Sequence, residues 1–143
     1  MAFQFSLEPV LRLRRSEQRQ QELILQKMNE QVNRITFALQ SIEDEIRQVS
    51  SERNHQADLI GAEIHFDQQR CDILAQRRAY REFLLQKARE QQAQAMKEFQ
   101  RIWQRREALE ILRRREQQAY VFEEARREQR VQDDLFLQRK QKR

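Results

Sequence analysis

Histidine and cysteine, the side chains best suited to metal binding and nucleophilic chemistry, are few in this 143-residue sequence, and their spacing keeps them apart. The two histidines, His55 and His65, are ten residues apart. That is not the i, i+4 spacing that lets one helix face hold a metal with two imidazoles, so no metal site is expected. Cys71 is the only cysteine, which rules out a disulfide framework. No histidine partner or helix N-terminus is on hand to activate its thiol, so it reads as a small buried hydrophobe. Phosphate-cradling loops need two or three glycines within about six residues, and Gly61 is the only glycine. The sequence therefore predicts a protein that is not an enzyme, with no cofactor and no small-molecule substrate.

Charge is what the chain does carry. Lys and Arg number 28 against 23 Asp and Glu, a net of +5, and arginine supplies 23 of the 28 cations. Guanidinium groups pair with carboxylate or phosphate through a planar fork, which lysine cannot do. The excess is uneven: residues 1–60 hold 8 cations and 9 anions, whereas residues 61–143 hold 20 and 14. Two readings follow, a solvated helical face laced with i, i+4 pairs or a basic surface that docks on an acidic partner. Nucleic acid is disfavoured as that partner. Acidic residues interrupt every basic run, and no pure basic region precedes the heptads as in basic-leucine-zipper proteins. Membrane-surface binding is disfavoured as well, because the apolar stripe is needed inside the fold.

The elements that position these groups must be helices. A chain with one glycine and one proline makes very few turns, which excludes sandwiches, barrels and doubly wound folds. With 36% of residues charged and 38% hydrophobic, a compact core cannot be filled, yet a narrow helical stripe can. The 24 glutamines, with Arg, Glu, Leu and Ala, are good helix formers, so helix is preferred to disorder. No apolar run approaches the roughly 18 residues of a membrane span. The N-terminus lacks a basic segment followed by an apolar one, so no signal peptide is expected and the protein is placed in the cytoplasm.

Pro9 suits a first helical turn, with Ser6 as the expected N-cap and Glu8 near the positive helix end. Beyond it, Met28, Val32, Ile35, Leu39, Ile42, Ile46 and Val49 alternate at spacings of four and three, the seam of a coiled coil. Towards the N-terminus the seam passes Leu25, meets polar Gln21, Gln18 and Arg14, and reaches Leu11 and Leu7. A second seam runs through Leu74, Arg81, Ala88, Ala95, Ile102 and Leu109 at sevens, interleaved with Leu85, Phe99 and Tyr120; Arg106 also falls on it.

Two seams flanking the only glycine predict an all-α fold, two long helices in an antiparallel coiled-coil hairpin. The expected boundaries are helix 1 at about 7–58, a turn near 59–64 and helix 2 at about 65–138, all in one domain spanning 1–143. A reversal near Gly61 would set Met28 against Ala95, Leu25 against Phe99, and the N-terminal aromatics beside Tyr120 and Phe122. The basic segment 126–143 would overhang. A single unbroken helix forming an intermolecular dimer is the competing geometry.

Phe3, Phe5, Leu7, Val10, Leu11 and Leu13 cluster at one chain end, and Leu135, Phe136 and Leu137 at the other. Such groups either close the hairpin's open end or present an adhesive tip to another protein.

The opening Phe3-Gln-Phe5-Ser-Leu7-Glu8-Pro9-Val10-Leu11-Arg12-Leu13-Arg14 resembles the F-x-F-x-L-x-x-V-L-x-x-R start of the FliJ family of flagellar export proteins. Tyr80-Arg-Glu-Phe83-Leu84 is similar to that family's aromatic-x-x-aromatic-aliphatic stretch, and the two-helix heptad layout agrees over essentially the whole chain. The resemblance implies an antiparallel coiled coil like the central stalk of rotary ATP synthases, working in flagellar type III export. It implies a hexameric export ATPase, a membrane-embedded export gate and export chaperones as partners, at the cytoplasmic face of the inner membrane at the flagellar base. Phe3, Phe5, Leu7, Val10 and Leu11 would then belong to the ATPase-facing end. Tyr80, Phe83, Lys87 and Glu90, with Gln94, would form the gate-facing surface, although Lys87 and Glu90 depart from an apolar contact. A generic coiled-coil scaffold unrelated to secretion is the alternative, and a basic nucleic-acid-binding coiled coil a more distant one.

Overall fold

The computed structural model describes residues 2–55 and 61–142. Two helices account for nearly all of them, α1 (Glu8–His55) and α2 (Gly61–Gln141), and no strand occurs among the described residues. They pack antiparallel, as the seams predict. The described residues group into two units: residues 1–20 with 100–143, and residues 21–99.

In the unit of residues 21–99, the α1 face that turns inward is the predicted one. Leu25, Met28, Val32, Ile35, Leu39, Ile42 and Ile46 are half-buried and Val49 is buried. Opposite them, Leu74, Leu85, Ala88 and Ala95 of α2 are buried. A seam between only two helices covers an alanine readily and larger side chains unevenly, so Leu74 and Leu85 are enclosed while the α1 leucines and isoleucines keep an open flank. Three polar links cross the seam. Gln92 Nε2 donates to Asn29 Oδ1 at 2.6 Å, Gln21 Nε2 to the Ala95 carbonyl at 3.3 Å, and Arg78 faces Glu43 at 3.7 Å. The first and last keep the register expected for a reversal near Gly61, and the long Gln21 side chain reaches further along it.

The unit of residues 1–20 and 100–143 closes differently. Phe5, Leu11 and Ile102 are buried, with Leu11 wholly inaccessible. Polar side chains fill the rest of the seam, Gln18 from α1 and Arg106 and Arg113 from α2, each half-buried. Arg15 binds one Glu110 oxygen through Nε at 2.8 Å and Nη2 at 2.7 Å. Pairs this exposed contribute on the order of 1 kcal/mol or less, so apolar burial at Leu11 outweighs any one of them. Beyond Tyr120 nearly every residue is exposed. Helix continues there on local support, including Arg126–Glu123 at 3.8 Å and Arg127–Glu124 at 3.5 Å, with Arg139 and Lys140 opposing the negative helix end.

Several expectations need correcting. α2 begins at Gly61 rather than near 65, so residues 61–64 are helical, while the expected turn residues 59 and 60 and helix residues 56–58 lie outside the described residues. Gly61 has no positive φ, and nothing lies within 4 Å of where a Cβ would sit. It opens a helix and is not required by a left-handed turn. The N-cap falls on Leu7 rather than Ser6: the Leu11 N–H donates to the Leu7 carbonyl at 2.9 Å, and the Glu8 N–H to the Phe5 carbonyl at 3.1 Å. That turn carries the buried Phe5 into the seam. Cys71 is half-buried rather than fully enclosed. Phe122 is 63% exposed and does not join the N-terminal aromatics; only Tyr120 faces them.

Leu11→Ala should lower unfolding free energy by about 2–5 kcal/mol, and Leu23→Ala, at an exposed site, by less than about 0.5 kcal/mol; equal urea midpoints would contradict this packing. Gly61→Ala should stabilise by about 0.4–1 kcal/mol, and a lower melting temperature would show that the glycine is needed after all.

Candidate functional site

The terminal cluster is assembled by the start of α1 and the stretch of α2 around residues 113–120. Pro9 lets the chain enter α1 without stranding an N–H, and Phe5, in the turn before the helix, and Leu11, in its first turns, are both buried. Phe3 lies against Tyr120, with ring centroids 5.6 Å apart and planes tilted by 52°. The Arg113 guanidinium sits 5.9 Å from the centre of the Phe3 ring, and its Nε donates to Glu8 Oε2 at 3.0 Å. Arg113 thus serves a cation–π contact and an ion pair at once.

This geometry divides the five residues read as one tip. Phe5 and Leu11 are interior and Phe3 is half-covered, so these three hold the end closed. Leu7 and Val10 face outward, as does Leu13, at 55% exposure. Each three-residue step turns back by about 60°, so Val10 and Leu13 swing progressively away from the Leu11 face, while Leu7, just ahead of α1, is partly uncovered at the end of the seam. From the same unit, α2 presents Trp103, Ile111, Leu112, Val121 and Phe122 to solvent, as well as Leu135, Phe136 and Leu137. Reading along the seams missed Trp103, Ile111, Leu112 and Val121 and set Phe122 beside the N-terminal aromatics, although their position off the 4-3 repeat marks them as outward-facing.

The second surface lies in the unit of residues 21–99. Lys87 Nζ stands 4.7 Å over the Phe83 ring, and these two form a ridge on α2. Tyr80 lies to one side, lining a shallow groove with Arg77, Arg81 and, from α1, Ala38, Ser41 and Ile42. Glu90 lies to the other, lining a separate depression with Glu82, Leu85, Gln86, Arg89 and Ala93. The structure therefore joins Phe83 to Lys87 but does not gather all four residues into one pocket. Gln94 is exposed beyond them.

Among the described residues no group of three or more His, Cys, Asp or Glu could hold a metal. His65 makes a contact with Gln69 at 3.3 Å on its own helix, and the His55 side chain lies outside what is described. No helix of the described residues is long and apolar enough to cross a membrane.

Tyr120 has its pKa raised, first by desolvation, then by the charge of Glu124 and a hydrogen bond to it, with Arg127 opposing. A phenol held above its unfolded value of about 10 stabilises the fold below that pH and loses the contribution as pH rises through the folded value. Wild-type stability should therefore fall more steeply above about pH 10 than that of Tyr120→Phe. Superimposable pH profiles of the two melting temperatures would refute the coupling.

No curated protein and no solved structure matches the chain. Among known families, the one described as Flagellar FliJ protein matches residues 3–143. That span takes in both helices and both surfaces, and it agrees with the resemblance of the opening Phe3–Arg14 stretch. The chain belongs to the FliJ family of flagellar proteins and is a flagellar export-related protein.

Proposed function

We propose that this chain is the stalk component that docks into the flagellar export ATPase ring, promotes its assembly and links it to the export gate. The observation that carries the reading is the division of labour at the hairpin's open end. Phe5 and Leu11 lock the two helices together, while Leu7, Val10 and Leu13 stay on the outside. An end closed by its own core residues needs no partner for stability, so apolar side chains left outside it are free to bind one. The ATPase-facing set is accordingly Leu7, Val10 and Leu13, with Phe3, Phe5 and Leu11 as its internal support.

The Phe83–Lys87 ridge is the counterpart for the gate. Its exposed ring supplies apolar contact, and the ammonium above it can pair with a partner carboxylate. Tyr80 would contribute from the adjoining groove, and Glu90 would act as a polar rim. Association with the cytoplasmic face of the inner membrane, at the flagellar base, follows from gate binding. Contact with export chaperones belongs to the same reading, on the strength of the family alone.

Leu7→Ser/Val10→Ser/Leu13→Ser should keep the wild-type helical content and lose at least about tenfold in affinity for the purified export ATPase, equivalent to about 1.4 kcal/mol. Undiminished binding by this variant would refute the tip assignment. Changing Phe5 and Leu11 instead would loosen the end itself, so that variant cannot separate docking from folding.

A further inference from the structure

A groove of about 580 Å3 in the unit of residues 1–20 and 100–143 has no part in the tip just described. It is lined by Arg12, Arg15, Gln18 and Arg19 of α1 and Arg106 of α2. Polar groups occupy the seam here, where a hydrophobic pair would stabilise more.

The charges lining the groove do not balance. Arg15 and Arg106 both reach Glu110, at 2.7 and 3.7 Å. Arg106 also meets Glu107 at 3.3 Å, and Glu107 is shared with Arg114 at 3.8 Å. Two carboxylates thus serve three guanidiniums. The Arg106 Nε is buried without a hydrogen bond. Arg12 and Arg19 are exposed and have no ion pair among the described residues. A surplus of positive charge is held along one wall of the groove.

We infer that this groove is a docking site for an acidic helical segment of a partner protein. The seven residues from Arg12 to Arg19 correspond to about 10.5 Å along the α1 axis, with Arg15 between them. Carboxylates at i, i+3 and i+7 of a partner helix repeat at matching intervals. The Arg12 and Arg19 forks can each take a carboxylate through two hydrogen bonds. Arg15, whose fork is held by Glu110, adds its charge between them, and the arginine stems give apolar cover to the partner's own side chains. A phosphate chain fits less well. Compact phosphates are held by converging backbone N–H groups, which this side-chain wall does not offer. The acidic Glu107 and Glu110 would also repel a dense polyanion. The inference does not depend on the stalk reading, whose test rests on Leu7, Val10 and Leu13.

The test uses the full chain and a fluorescent synthetic helix of Ala, Leu and Glu, with Glu at i, i+3 and i+7, followed by anisotropy. The wild type should bind it, and the same peptide with Gln for Glu should not bind. Arg12→Gln/Arg19→Gln should weaken binding at least about tenfold with an unchanged thermal melt, because both side chains are exposed. Arg139→Gln/Lys140→Gln, which removes the same charge from the end of α2, should change it less than about twofold. Absence of wild-type binding would overturn the inference. So would equal weakening by the two charge pairs, retained binding by Arg12→Gln/Arg19→Gln, or displacement of the peptide by heparin at lower concentration than by unlabelled peptide, which would make the groove a general polyanion site.

Discussion

Everything in this molecule depends on one constraint: two helices share one seam. A helix in a larger bundle can bury a broad arc, whereas each helix here buries a single stripe of four-three spacing. Only small or centrally placed groups such as Ala88, Ala95 and Leu11 vanish from solvent, and the larger Met28, Ile35 and Leu39 remain half-open. With so little interior, the remaining side chains must be solvated, ion-paired or committed to a partner. The high charge content follows directly from that geometry.

The same constraint explains what could be read from the sequence. The α1 seam from Met28 to Val49 and the α2 seam through Leu74, Ala88 and Ala95 are periodic, and periodicity survives any detail of packing. The pairing of Phe3 with Tyr120 follows once the register is set near Gly61. Local geometry was less legible. Ser6 has the right chemistry for an N-cap, but burial of Phe5 sets the turn and moves the cap to Leu7. Phe122 lies two residues from Tyr120, which on a helix turns it well away from the seam. The division of Phe3, Phe5, Leu7, Val10 and Leu11 into inner and outer sets was also hidden, since in sequence they form one apolar run. The arginine groove was the least visible feature, because it needs Arg106 brought beside residues almost ninety positions earlier.

Arginine carries two kinds of work in this chain. At Arg113 the guanidinium is fully used, held between Glu8 and the Phe3 ring. At Arg12 and Arg19 it is unspent. Sequence cannot distinguish these cases, since both lie in basic stretches. The contrast comes from whether the opposing helix supplies a carboxylate.

The long-range pairs also carry a consequence for how the chain folds. The Asn29–Gln92 link joins residues 63 apart, Arg15–Glu110 residues 95 apart, and Glu8–Arg113 residues 105 apart. Closing the longest of these loops from a free chain costs only about 0.5 kcal/mol more than the shortest, so loop length alone hardly orders them. Once an inner pair has formed, however, the next one closes about thirty residues, and the outermost about ten, rather than a hundred. Assembly therefore runs like a zip from the inner pairs towards Glu8 and Arg113. The contacts around Phe3 and Tyr120 are the outermost in this nesting, the last that such a zip would close.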